Sequence, residues 1–361
     1  MLNIDIIAGA RPNFMKIAPI IHEIDANESD KIAYRLIHTG QHFDHKMSET
    51  FFQELNIPEP DINLGAGGGT QSEQTAAIMI GYEKALDTFK PDLCLVVGDV
   101  TSTLACSIVA KKAGVRVAHV EGGIRSGDLS MPEEINRLVT DSISDYFFTT
   151  SETADQNLKS VGVAEERIFF VGNTMIDTLY SNIRNLKEPK CYKDYNLSKN
   201  GYFVLTLHRP SNVDNIDTLR DILFEIERLS KNNTVIFPIH PRTLAKVKLL
   251  NIVFENIKLI EPLGYLEFIY LVKNSKAAIT DSGGITEECT VLGIPCLTMR
   301  DSTERPETVN IGTNELIGTN VLNLAVAISK VESSTWKKGS IPPLWDGKTS
   351  KRIVKHLLAL N

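Results

Sequence analysis

Three carboxylates, two imidazoles and three cations stand where the chain changes from apolar runs to short polar ones: Asp99, Glu121 and Glu133; His208 and His240; Arg11, Lys16 and Arg305. Carboxylates and imidazoles gathered in one site can take a proton from one face of a substrate and return it to the other. Neighbouring carboxylates raise one another's pKa, so one of them can stay protonated as an acid. Cations beside them would steady an anion or a departing group. A second kind of chemistry is written in A-A-I-T-D-S-G-G-I-T-E-E (277–288). There an apolar run over 276–280 breaks at Asp281, Ser282, Gly283 and Gly284, and a helical pattern over 285–292 ends at Gly293. A strand entering a helix through two glycines leaves backbone N–H groups unpaired at the helix start, where the dipole favours an anion. The glycines admit a phosphate closely, Ser282 adds a hydroxyl donor, and Glu288, one turn on, suits two ribose hydroxyls. Each residue alone has an ordinary explanation: a helix cap, a loop position, or, for P-E-E at 132–134, a solvated first turn complementing the dipole.

The elements that must position these residues alternate regularly. Compact apolar runs predict strands over 3–8, 33–38, 92–97, 115–120, 145–150 and 168–171. Between them, helical periodicity covers 14–24, 44–55, 71–89, 104–113, 132–144 and 152–160, with a loose stretch at 56–69. The lysine-rich segment 187–200 interrupts the rhythm, which restarts with strands over 202–207, 234–239, 257–260, 276–280 and 294–298. Helices over 215–229, 243–250, 265–274 and 285–292 separate those strands, and 320–330 and 351–360 close the chain. Such repeated strand–helix units predict an α/β fold: two Rossmann-like, doubly wound parallel-sheet domains with a cleft between them. The domains are expected at 1–172 and 201–340. Residues 173–200 connect them, and a helix in 341–361 packs back on the N-terminal domain. In this frame Arg11, Gln41 with His42, Asp99, Glu121, His208, His240 and Ser282 each lie just past the carboxyl end of a strand. That is the edge where open α/β sheets bind ligands.

Composition narrows the function. The 361 residues carry a net charge of −7, which disfavours nucleic acid or a membrane surface as partner. Five cysteines, odd in number and without C-x-x-C spacing, suit reduced thiols and no structural zinc. The opening M-L-N-I-D-I-I-A-G lacks the charged-then-apolar plan of a signal peptide, and no apolar run approaches a bilayer-spanning length, so a cytoplasmic protein is expected. No G-x-G-x-x-G follows a strand, and G-A-G-G-G at 65–69 lacks the P-loop lysine. No bound cofactor and no metal are expected.

Nine ordered motifs carry a family resemblance. They are G-A-R-P-N-F-M-K-I-A-P (9–19), T-G-Q-H (39–42), G-D-V-T-S-T (98–103), H-V-E-G-G-I-R-S-G-D (119–128) and P-E-E-I-N-R (132–137), followed by T-L-H-R (206–209), P-I-H-P (238–241), D-S-G-G-I-T-E-E (281–288) and T-E-R-P-E (303–307). In these the chain resembles the non-hydrolysing UDP-N-acetylglucosamine 2-epimerases over essentially its whole length. The resemblance implies a GT-B-type pair of domains, a UDP-sugar substrate, a homodimer and a role feeding cell-surface polysaccharide synthesis. It places Asp99, Glu121, Glu133 and His208 in catalysis. Arg11, Lys16, His240, Phe268, Ser282, Gly283, Gly284, Glu288 and Arg305 fall to substrate binding, with Ser282–Gly284 on the diphosphate, Glu288 on the ribose and Phe268 at the uracil. Gln41 and His42 match part of an effector site for a second UDP-GlcNAc. The chain departs from the family pattern at Asn13, where many members have Glu, at Ser211 and at Leu263. Those departures leave room for another UDP-sugar, such as a 2,3-diacetamido uronic acid. Val100 stands where hydrolysing relatives continue G-D-R.

The hydrogen at C2 of such a sugar is not next to a carbonyl. Inverting C2 without nicotinamide therefore suggests eliminating UDP across C1–C2 and adding it back after protonation on the other face. A GT-B glycosyltransferase is the alternative; it would need an acceptor and would leave the C2 hydrogen in place.

Overall fold

The computed structural model describes residues 1–41, 52, 54–230 and 233–360. By their internal contacts these fall into two units, Met1–Ser181 with Pro343–Asn361, and Asn182–Pro342. The α/β class with two parallel sheets is what is observed.

In the first unit the strands are β1 (Leu2–Ala8), β2 (Ile32–His38), β3 (Ile62–Asn63), β4 (Leu93–Val97), β5 (Arg116–Val120), β6 (Tyr146–Thr149) and β7 (Ile168–Phe170). They pair in the order β3-β2-β1-β4-β5-β6-β7, all parallel. Every residue of β4 is buried, as a central strand covered by helices on both faces requires. The helices Gln71–Thr88 and Thr101–Lys112 lie side by side over one face, with Ile78, Tyr82, Cys106 and Ala110 in the shared core. That core encloses one ion pair. Asp5 faces Arg35 across the β1–β2 register, its oxygens take two guanidinium N–H bonds of 2.8 Å each, and the Tyr82 hydroxyl adds a third at 3.0 Å.

β3 is not among the expected strands. It falls in the loose stretch at 56–69, and two residues are too short to show a period. The helix Thr174–Asn182 also lies beyond the expected end of regular structure and packs within the first unit. The last helix, Thr349–Ala359, packs on the helix Arg11–Glu23. Its start is held by Asp177, whose carboxylate accepts from the Thr349 and Ser350 amides at 3.0 and 2.7 Å. The helix expected over 44–55 lies mostly outside the described residues.

The second unit has β8 (Tyr202–Thr206), β9 (Thr234–Pro238), β10 (Ile257–Ile260), β11 (Ala277–Thr280), β12 (Cys296–Thr298) and β13 (Asn314–Leu316), parallel in the order β10-β9-β8-β11-β12-β13. Leu205, Phe237, Ile279 and Leu297 pack its core against the helices Ile216–Leu229 and Val321–Glu332. Both sheets reverse their winding direction once, between β1 and β4 and between β8 and β11. The strand ends flanking such a reversal splay the following loops apart and open a crevice. Among the described residues no helix is long and apolar enough to cross a membrane.

Candidate active site

At the first reversal the chain leaves β1 at Gly9 and β4 at Gly98. A side chain at Gly9 would collide with the Ser102 hydroxyl, 1.9 Å from its Cβ. Asn13, buried in the first turn of the Arg11–Glu23 helix, ties the two loops together. Its Oδ1 accepts from the Gly9 and Ala10 amides at 3.1 and 3.0 Å, and its Nδ2 donates to the Val97 carbonyl at 3.0 Å. One turn on, Lys16 reaches Glu121 at the end of β5, with Nζ 2.7 Å from Oε2 and both side chains nearly buried. Glu121 is held in the left-handed region at φ 70°, a conformation that costs a non-glycine residue on the order of 1–3 kcal/mol and persists where the surroundings enforce it. Gly98, at φ 69°, leaves room for this pair: a Cβ there would sit 3.1 Å from Lys16 Nζ.

Asp99, the next residue, is gripped from the Pro132–Ile143 helix. Arg137 Nη2 donates to its carboxylate at 2.5 Å, and Asn136 Nδ2 to its carbonyl at 2.8 Å. The other end of the guanidinium donates to Glu134 at 2.7 Å. Burial alone would raise the Glu134 carboxyl, but the Ser126 and Gly127 amides and Arg137 outweigh it and hold it below its ordinary range. Glu133, one residue earlier, is half-exposed. Beneath the site the buried His119 places one ring nitrogen 2.7 Å from Asp141 and the other 2.7 Å from the Gly98 carbonyl. Gln41, past β2, accepts from the Ser102 hydroxyl at 2.9 Å.

At the second reversal His208 follows β8 and Asp281 follows β11. Asp281 is fully buried, with the His208 Nδ1 2.8 Å from its Oδ1, and it accepts from the amides of His208 and Arg209 and from Asn212 Nδ2. Burial pushes its carboxyl up, yet His208 and these donors prevail and keep it below the usual range. Ser282 caps the helix Gly283–Leu292 without a side-chain bond, and no acidic residue occupies the first turn. Gly283 and Gly284 are therefore the first helical residues and not a loop before it, and their N–H groups form the open, positive end. Glu288, buried one turn in, receives the Tyr265 hydroxyl. Burial pushes its carboxyl up to about 8; Tyr265 pulls the other way and Glu287 adds to the rise. Among the described residues no cluster of three or more His, Cys, Asp or Glu side chains is arranged to hold a metal ion.

Residues 24–358 match the family model described as UDP-N-acetylglucosamine 2-epimerase. The chain belongs to this family. It is 43% identical, over 99% of both chains, to the UDP-N-acetylglucosamine 2-epimerase of Methanocaldococcus jannaschii. The crystal structure of the M. jannaschii UDP-GlcNAc 2-epimerase in complex with UDP-GlcNAc and UDP superposes with a TM-score of 0.90, at 42% identity and covering 99% of this chain and 100% of that one. A UDP-2,3-diacetamido-2,3-dideoxy-D-glucuronate 2-epimerase of Pseudomonas aeruginosa is also related, at 36% identity over 98% of this chain and 99% of its own.

For a member of this epimerase family, the expected site residues divide by unit. Lys16, Asp99, Glu121 and Glu133 come to the first reversal or to the helix beside it, and Arg11 begins the helix after β1. His208, Ser282, Gly283, Gly284 and Glu288 come to the second. His240 is exposed and spends its Nδ1 on the Arg242 amide as a helix cap, at 3.3 Å. Phe268 packs half-buried on the apolar cluster around Tyr202 and Cys289. Arg305 is buried and paired with Glu287, so its guanidinium is engaged inside the unit. His42 lies outside the described residues. Sequence reasoning missed Arg137, Asn13 and Asp281 as working residues. The signal for Arg137 was its i+3 spacing from Glu134, and for Asp281 its place at a strand end ahead of Ser-Gly-Gly. Asn13 was legible only as a departure from the family pattern.

Proposed function

We propose that the chain is a non-hydrolysing UDP-N-acetylglucosamine 2-epimerase interconverting UDP-GlcNAc and UDP-ManNAc. The observation that carries this reading is the set of oriented acid–base groups at the first reversal, Asp99 on Arg137 and Glu121 on Lys16, in a chain 43% identical to such an epimerase from end to end. One base takes the C2 proton while the C1–O bond breaks, its electron pair leaving with UDP. An acid then delivers a proton to the other face of C2 in the resulting glycal, and UDP adds back at C1. Asp99, Glu121, Glu133 and His208 are the groups proposed for these transfers, and Arg11 and Lys16 stabilise the departing diphosphate.

The domain over 1–172 supplies most of this chemistry, and the one over 201–340 holds UDP through Ser282–Gly284, Glu288, Phe268, His240 and Arg305. A homodimer in the cytoplasm, with Gln41 and His42 in an effector site, completes the proposal. The test is proton NMR of UDP-GlcNAc with the protein in D2O. Deuterium at C2 together with UDP-ManNAc is expected; intact substrate without label sinks this sugar, and free ManNAc with UDP indicates the hydrolysing chemistry instead. The 36% identity to the diacetamido-glucuronate epimerase makes that UDP-sugar the second substrate to try.

A further inference from the structure

Asp281 lies between the two groups of the second unit that the proposed function uses most, and its bonding is asymmetric. Its Oδ2 accepts from the His208 amide at 3.0 Å, the Arg209 amide at 2.9 Å and Asn212 Nδ2 at 3.0 Å. Its Oδ1 faces the His208 ring at 2.8 Å and takes only the longer branch, 3.2 Å, of the His208 amide bond. The three Oδ2 partners can only donate. Two are main-chain amides, and Asn212 Nδ2 also donates to the Met299 carbonyl at 3.1 Å, which fixes the orientation of that amide group. A carboxylate held ionised by such a set can only accept from the ring, so Nδ1 carries the hydrogen. In the neutral imidazole Nε2 is then the lone-pair nitrogen. The His208 side chain is 56% exposed, and Nε2 makes no hydrogen bond among the described residues.

We infer that Asp281 is a positioning residue that fixes His208 in the Nδ1–H tautomer, presenting Nε2 as a proton acceptor, and that ties the imidazole to the Ser282–Gly284 turn it directly precedes. The inference rests on the proposed epimerase reading for its catalytic consequence but not for its geometry. The same carboxylate that orients the ring starts the anion-binding turn, so the base and the diphosphate anchor keep one fixed spacing.

The test is Asp281→Asn. The amide oxygen must stay with the three obligate donors, so the NH2 group faces Nδ1, which then has to accept, and the ring proton moves to Nε2. Long-range proton–nitrogen NMR of the free protein, with the His208 signals assigned by their loss in His208→Ala, is expected to show Nδ1–H in the native chain and Nε2–H in the variant. Turnover of UDP-GlcNAc should fall on the order of 10²–10⁴-fold, as when a histidine base is left in the wrong tautomer. UDP affinity by calorimetry should stay within about threefold, because the donors of the turn are unchanged. In a His208→Ala background the Asp281→Asn change should cost less than about threefold more, since the two act as a unit. An Nε2–H tautomer in the native chain overturns the inference whether or not the variant folds. Equal losses from Asp281→Asn in the presence and absence of His208, or a loss of UDP affinity matching the loss of turnover, overturn it as well. A native chain that has the Nδ1–H tautomer yet places no deuterium in UDP-GlcNAc refutes the substrate and leaves the positioning role standing.

Discussion

Replacing Glu288 by glutamine should stabilise the protein, and only above mildly acidic pH. Glu288 is 3% exposed, and burial pushes its carboxyl up to about 8 from an ordinary 4.5. Below pH 4.5 the folded and unfolded chains both hold this proton, and the residue contributes nothing to the pH dependence of stability. From there to about pH 8 the unfolded chain releases the proton while the folded one keeps it. Stability then falls with rising pH by about 1.4 kcal/mol per unit. Over the whole interval the loss reaches about 5 kcal/mol, and beyond it the loss stops growing. The glutamine has no proton to lose, and its carbonyl can still accept from the Tyr265 hydroxyl. Urea unfolding of both proteins at pH 4.5, 6.5 and 8 is the assay. The variant should match the native chain at the first pH, lead by about 3 kcal/mol at the second and by up to about 5 kcal/mol at the third. A stability difference that does not change with pH refutes the reasoning, because it would mean that Glu288 titrates alike in both states. If Glu288 takes the ribose hydroxyls as proposed, the same variant should lose UDP affinity by about tenfold or more, the usual cost of a stabilising change at a working site.

Three further outcomes follow from the site. Arg137→Met removes the cation shared by Asp99 and Glu134 and should cost about 3–5 kcal/mol in denaturant unfolding. The epimerisation rate should fall on the order of 100-fold with it, and a variant with unchanged rate would remove Asp99 from the chemistry. Gly98→Ala places a Cβ 3.1 Å from Lys16 Nζ at a φ of +69°. Turnover should drop at least about tenfold, while UDP affinity by calorimetry should fall less, because the proposed anchor Ser282–Gly284 belongs to the other unit. Asp5→Asn breaks the pair with Arg35 in the middle of β1, before the strand end that carries the site residues, and should lower stability by about 3 kcal/mol with kcat unaltered.

Strand edges were legible because each strand is a short apolar run closed by a glycine or a polar residue, and a doubly wound sheet puts such closures on one edge. Asp99, Glu121, His208 and Ser282 could be found that way without knowing which strands touch. What hid was everything that depends on strand order. β1 and β4 are separated by 84 residues and β8 and β11 by 70, and nothing local marks them as neighbours. β3 and β13 hid for a simpler reason, since two or three residues show no periodicity.

The two sheets solve the same problem with different residues. A reversal brings together two loops that then diverge, and the gap must be bridged if reactive groups on both sides are to keep their places. In the first unit the bridge is Asn13, which binds the Gly9 and Ala10 amides and the Val97 carbonyl. An amide serves there because the two loops offer both donors and an acceptor. In the second unit these partners are all donors, and the Asp281 carboxylate accepts from them. A carboxylate at position 13 would meet the Val97 carbonyl with a second acceptor. Converting Asn13 to Asp should therefore leave one buried acceptor facing another and cost about 1–3 kcal/mol in stability. The Lys16–Glu121 pair rides on the same helix turn, so turnover should fall with it although neither Lys16 nor Glu121 is altered. A variant of normal stability and normal rate would show that the loops at the first reversal are held by something other than Asn13.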